Sequence, residues 1–113
     1  MATVSIRHDV GGWDGPLARL LPFESHGAMR AVASVPSSTG RLDPRWRWRF
    51  QEDQNAPGIV YTVLSYETPI AWVRADGRMV MPPVAYSATT TRHQNLCRRW
   101  MGAAPLSREA AAA

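Results

Sequence analysis

The chain has 113 residues, 45% of them hydrophobic, and a formal net charge of +4. That length implies one domain with a modest core. No apolar run approaches the ~18–20 residues of a membrane span, and the single cysteine, Cys97, excludes an intrachain disulfide. The first residues lack a charged stretch followed by an apolar core, so no signal peptide is expected and a cytoplasmic location is. All thirteen basic residues are arginine. Arginine pairs bidentately with phosphates and carboxylates and stacks on aromatic rings, so the basic surface favours polyanions.

In chain order, residues 1–22 read as an N-terminal arm. Thr3–Arg7 suits a short strand, and Pro16–Leu21 a helical turn with Pro16 in its first position. Pro22 ends that turn, and Phe23–Gly27 reads as another. A single α+β domain is expected over residues 23–104. It opens with a strand over Ala28–Val35, weakened by its alanines, and a loop over Pro36–Pro44.

Arg45–Gln51 follows, Arg-Trp-Arg-Trp-Arg-Phe-Gln. Its period of 2 predicts a strand with Arg45, Arg47 and Arg49 on one face and Trp46, Trp48 and Phe50 on the other. Glu52–Gly58 is a polar connector, and Ile59–Leu64 a β-branched strand. Ile70–Arg74 and Met79–Met81 should pair as a hairpin around Ala75-Asp76-Gly77. Pro82 and Pro83 then stop the ladder.

Thr91-Arg92-His93-Gln94 fits a capping box, which predicts a helix beginning after Thr91. His93, Leu96, Cys97, Trp100 and Met101 share one side of it, and Arg92, Asn95, Arg98 and Arg99 the other. Gly102 and Pro105 would end the helix, leaving 105–113 as a flexible tail. The expected fold is therefore α+β: a small antiparallel sheet of four to five strands with one C-terminal amphipathic helix packed on it.

Three features carry chemistry. Arg45, Arg47 and Arg49 on a strand would sit about 6.6–6.8 Å apart, a spacing that suits successive phosphates; the competing reading is a solvated edge strand. Arg92, Arg98 and Arg99 make a second basic face, and Arg74 and Arg78 flank a hairpin turn able to reach a groove. Finally, Ser65–Thr68 and Ser87–Gln94 are two hydroxyl-rich clusters flanking a single hairpin. His93 on the apolar side of its helix would find Ser65, Tyr66 or Thr68, giving a structural polar network of Ser65, Tyr66, Thr68, Thr91 and His93. His8, His26, His93 and Cys97 lack metal-ligand spacing. The carboxylates are scattered, so no catalytic residue, metal or cofactor is expected.

Two stretches also carry a resemblance. Ser65-Tyr66-Glu67-Thr68-Pro69-Ile70-Ala71 and Tyr86-Ser87-Ala88-Thr89-Thr90-Thr91-Arg92-His93-Gln94 are similar to the signature of small phage and mobile-element proteins that carry a domain of unknown function. Phe23, His26-Gly27 and Thr39-Gly40-Arg41-Leu42 resemble its upstream part. The likeness spans residues 23–101, and with this arginine- and alanine-rich composition it implies an actinobacterial phage and a protein acting in the host cytoplasm.

The residues and the resemblance lead to one main expectation, a small basic protein that binds double-stranded DNA mainly through its phosphates. The alternative is a host-protein antagonist with Trp46, Trp48 or Trp100 as hot spots; exposed tryptophan favours it, and buried tryptophan beneath a basic face favours DNA. An enzyme would need a cleft lined by Tyr66, Thr68, Thr90 and a solvent-accessible His93. A membrane partner is not expected. A homodimer through a strand edge would join the basic patches.

Overall fold

Residues 3–4, 15–25, 28–84 and 87–101 are described in the structure, a computed structural model. Five strands, β2 (Phe23–Ser25), β3 (Met29–Val32), β4 (Ile59–Ser65), β5 (Thr68–Arg74) and β6 (Met79–Val80), lie side by side in sequence order, every neighbouring pair antiparallel. A short β1 (Thr3–Val4) adds in parallel beside β2. Three helices complete the described residues: α1 (Pro16–Arg19), α2 (Pro44–Asn55) and α3 (Ala88–Trp100). The α+β class holds, with helices beyond the C-terminal one. The expected tail and the helix stop at Gly102 and Pro105 lie outside the described residues.

Helices cover the sheet on both faces. Thr62 and Trp72 are register partners, as are Tyr61 and Val73, and adjacent strand residues point to opposite faces. On the Trp72 side lies α2, with the Phe50 ring edge-on to Trp72 at 4.9 Å. On the Tyr61 side lie α1 and α3: the Tyr61 hydroxyl donates to the Leu21 carbonyl at 2.8 Å, and Ser65 meets His93 of α3. Double coverage explains why β4 and β5 are nearly continuous runs of buried residues rather than alternating ones. Leu17 of α1, inside the expected arm, is fully buried in this core.

Three expectations need correction. Arg45–Gln51 is helical, not extended. Asp43 caps α2 by accepting from the Arg45 N–H at 2.9 Å, and Pro44 occupies the first turn. The buried residues are Trp46, Phe50 and Asp53, spaced i, i+4, i+7 as one helix face requires. Phe23–Ser25 is a strand, because Phe23 and Glu24 pair with Ala31 and Arg30.

The capping residue of α3 is Ser87, whose hydroxyl accepts from the Thr90 N–H at 3.2 Å, so Thr91 lies inside the helix. Ser65–Thr68 and Ser87–Gln94 do flank the β5–β6 hairpin, and Ser65–Thr68 is in addition the turn joining β4 to β5. Tyr66 and Glu67 take φ values of 50° and 63°, the two left-handed positions of a two-residue type I′ loop.

Non-glycine residues pay roughly 1–2 kcal/mol each for that backbone, so neighbours must hold the turn. Arg30 donates to both carboxylate oxygens of Glu67, at 2.7 and 3.0 Å. Thr68 accepts the Arg41 N–H at 2.9 Å. Gly40 lies so close that a Cβ there would stand 2.5 Å from the Glu67 carbonyl oxygen.

Candidate functional site

Two places combine exposed chemistry with a defined wall. The first is a cleft of about 610 Å³ where the β4–β5 turn meets the start of α3, with Arg41, Tyr66 and Thr89 among its lining residues. The two hydroxyl clusters meet here. Ser87 donates to the Thr90 hydroxyl at 3.3 Å, Thr90 and Ser65 are 3.0 Å apart, and Ser65 lies 2.7 Å from His93 Nδ1. These contacts form a continuous chain from Ser87 through Thr90 and Ser65 to His93; with Ser65 donating to Nδ1, the imidazole proton would sit on Nε2.

His93 is 3% exposed. Burial, and next the nearby Arg92 charge, push its pKa below the ordinary histidine value, so it is neutral at pH 7. Of the other expected network members, Thr68 is buried but serves the Arg41 N–H, while Thr91 is exposed and Tyr66 is 58% exposed. Thr90, one residue before Thr91, takes the position facing Ser65. Cys97 is fully buried, and burial pushes its thiol up to about 12, so it is neither thiolate nor nucleophile at neutral pH.

The second place is the outer face of α2. Arg45, Trp48, Arg49 and Glu52 form one stripe at i, i+3, i+4, i+7. Trp48 is 63% exposed, whereas Trp46 is only 8% exposed. Together with Pro83 they line a groove of about 510 Å³. The Arg45 guanidinium stands 6.0 Å from the Trp46 ring centroid. The buried Trp46 indole N–H has no hydrogen-bond partner among the described residues, a deficit of about 1–3 kcal/mol.

The expected arginine sites are therefore dispersed. Arg45 and Arg47 are exposed on α2, but Arg49 is drawn to Asp53 at 3.1 Å. Arg74 also reaches Asp53, at 3.3 Å, and Asp76 at 3.0 Å. Arg92, Arg98 and Arg99 are exposed on α3, across the sheet from α2, with Arg99 5.1 Å from the Trp100 ring centroid. Arg78 is exposed at the β5–β6 turn.

Sequence reasoning missed Asp53, which is 3% exposed and also accepts from the Trp72 indole N–H at 2.9 Å. Once Asp43-Pro44 is read as a helix start, Asp53 falls on the buried side with Trp46 and Phe50, so that dipeptide was the available signal. Among the described residues no group of histidine, cysteine and carboxylate side chains could hold a metal ion, and no helix is long and apolar enough to cross a membrane.

A family of unknown function, DUF8033, matches residues 43–110, more than half of the chain. The chain belongs to that family. The DUF8033 match begins at Asp43, the cap of α2, and takes in the β4–β5 turn and all of α3. Both candidate places lie mainly within it; Arg41, at the rim of the cleft, lies outside. No curated protein and no solved structure matches the chain.

Proposed function

We propose that this DUF8033 protein is a binding module that docks a protein partner on the outer face of α2. The carrying observation is Trp48, 63% exposed between Arg45 and Glu52 on a helix whose other face is locked into the core. A large aromatic held by a rigid helix loses little freedom on binding, and tryptophan and arginine dominate interface hot spots. In the phage setting implied by the sequence resemblance, the partner is a host protein met in the host cytoplasm.

This reading displaces the row of strand arginines, because α2 is a helix and Arg49 is engaged by Asp53. In it the chain binds and does not catalyse. An enzyme using His93 would need that ring open to the cleft, and it is 3% exposed.

A second reading keeps double-stranded DNA as the partner. It is favoured by α3, which carries Arg92, Arg98 and Arg99 and no carboxylate. Phosphate contacts from that face would be salt-sensitive and largely indifferent to sequence.

Cross-linking in host cells, comparing the wild type with folded Trp48→Ala and Arg98→Ala/Arg99→Ala variants, separates the two readings. Protein adducts lost only in Trp48→Ala support docking on α2. Adducts unchanged in Trp48→Ala overturn it.

A further inference from the structure

We infer that the outer face of α2 pairs with the same face of a second copy of this chain across a two-fold axis. The inference takes from the proposed function only that this face is a docking surface, and it names what covers the face when the host protein is absent. Arg45, Trp48 and Glu52 form a stripe with a cation at one end, an aromatic ring between and a carboxylate at the other. Arg45 and Glu52 are exposed and form no ion pair among the described residues. At the helical rise of about 1.5 Å per residue, Arg45 lies ~4.5 Å before Trp48 along the axis and Glu52 ~6 Å beyond it.

A partner fitted to this stripe needs a carboxylate opposite Arg45, an apolar group opposite Trp48 and a cation opposite Glu52. The stripe itself, run in reverse, has that order. A two-fold axis passing beside Trp48 sets the two helices antiparallel, with each Arg45 against the Glu52 of the other copy. The two spacings differ by only about 1.5 Å, within the reach of such long side chains. Each Trp48 would enter the other copy's groove, about 510 Å³ in volume and walled by Trp46 and Pro83. An interface of this kind is self-complementary and closes at two copies. A helix of 12 residues is about 18 Å long, so one face of it covers less than the ~1,200 Å² of a standard interface. The pair is therefore weak, forms at high concentration and yields to a host protein that binds the same face more tightly.

Sedimentation equilibrium of the full chain over a concentration series tests this. The wild type should rise from one chain towards two, and Trp48→Ala should weaken that association about tenfold or more. Arg45→Glu alone and Glu52→Arg alone should stay monomeric, because each reversal sets like charges together at both ends of the contact. An equal mixture of those two variants should pair again, since it restores both opposite-charge contacts; recovery also shows that both variants are folded.

A wild type that stays monomeric at every concentration, a dimer that neither reversal weakens, or a mixture that fails to pair would overturn the inference. If the wild type stays monomeric while cellular adducts with other proteins still depend on Trp48, the second copy falls and the host-protein reading stands. If the mixture pairs while no adduct with another protein depends on Trp48, the host-protein reading falls and the second copy stands.

Discussion

The Trp72 indole N–H donates to the Asp53 carboxylate at 2.9 Å, tying the middle of β5 to the last turn of α2. The same carboxylate receives Arg49 from its own helix and Arg74 from the end of β5. One buried anion thus joins helix and sheet, and three donors offset its desolvation.

Asp53→Ala should therefore destabilise the fold by about 3–5 kcal/mol, since it removes the anion that Arg49 and Arg74 share and leaves the buried Trp72 indole N–H against an apolar methyl. Chemical denaturation measures this. A loss below about 1 kcal/mol would show that the hub is not a structural tie.

Acid should weaken the fold through His93. Its folded pKa lies below the ordinary value near 6.5, so the unfolded chain binds the proton more readily. The stability is complete above the unfolded pKa and is lost as pH falls below it towards the folded value. Glu67, whose carboxyl is held below its ordinary value near 4.5 by the Arg30 hydrogen bonds, adds a loss of the same sign only at lower pH. Between pH 7.5 and 5 the wild type should thus lose stability, and His93→Gln should flatten that slope. Parallel slopes in denaturation at several pH values would count against His93.

Gly40→Ala should cost about 2–4 kcal/mol, combining the left-handed backbone with a collision against the β4–β5 turn. Gly40 has φ +52°, and a Cβ would meet the Glu67 backbone and the buried Thr68 hydroxyl rather than the far end of a flexible side chain. Thermal unfolding gives the value, and an unshifted midpoint would mean that the loop and turn part readily.

Trp48→Ala should leave stability within about 0.5 kcal/mol, because so exposed a side chain contributes little to the core. Trp46→Ala, by contrast, should cost about 3–5 kcal/mol. Comparing the two melts separates an exposed binding residue from a core residue two positions away.

If DNA is the partner, binding to unrelated duplexes should weaken steeply with salt. Arg98→Ala/Arg99→Ala should reduce the logarithmic salt slope by about two units, whereas Arg45→Ala should leave it unchanged. Fluorescence anisotropy at several salt concentrations reads both. No binding at low salt would end the DNA reading.

The legible parts of this fold were those with a local cause. The turn at Ala75-Asp76-Gly77 and the β-branched run from Ile59 were read from residue chemistry, and they are a turn and a strand. His93 and Ser65 meet at 2.7 Å, as a histidine on an apolar helix side suggested. Around Arg45 two local signals conflicted: alternation spoke for a strand and Asp43-Pro44 for a helix start. Packing settled it: Trp46 and Phe50 are buried while Trp48 between them is exposed, which one helical turn allows and strand alternation does not. Nothing local marks Tyr66-Glu67 as a type I′ loop, because neither residue favours positive φ; Arg30, thirty-seven positions away from Glu67, and Gly40 help hold it there.

The sheet between α2 and α3 has a consequence for stoichiometry. A molecule held against Trp48 leaves Arg98 and Arg99 uncovered on the far side, and one held by those arginines leaves Trp48 free. Two occupants would not compete, so if both faces bind, a chain of this size would be a bridge between two molecules that have no affinity for each other.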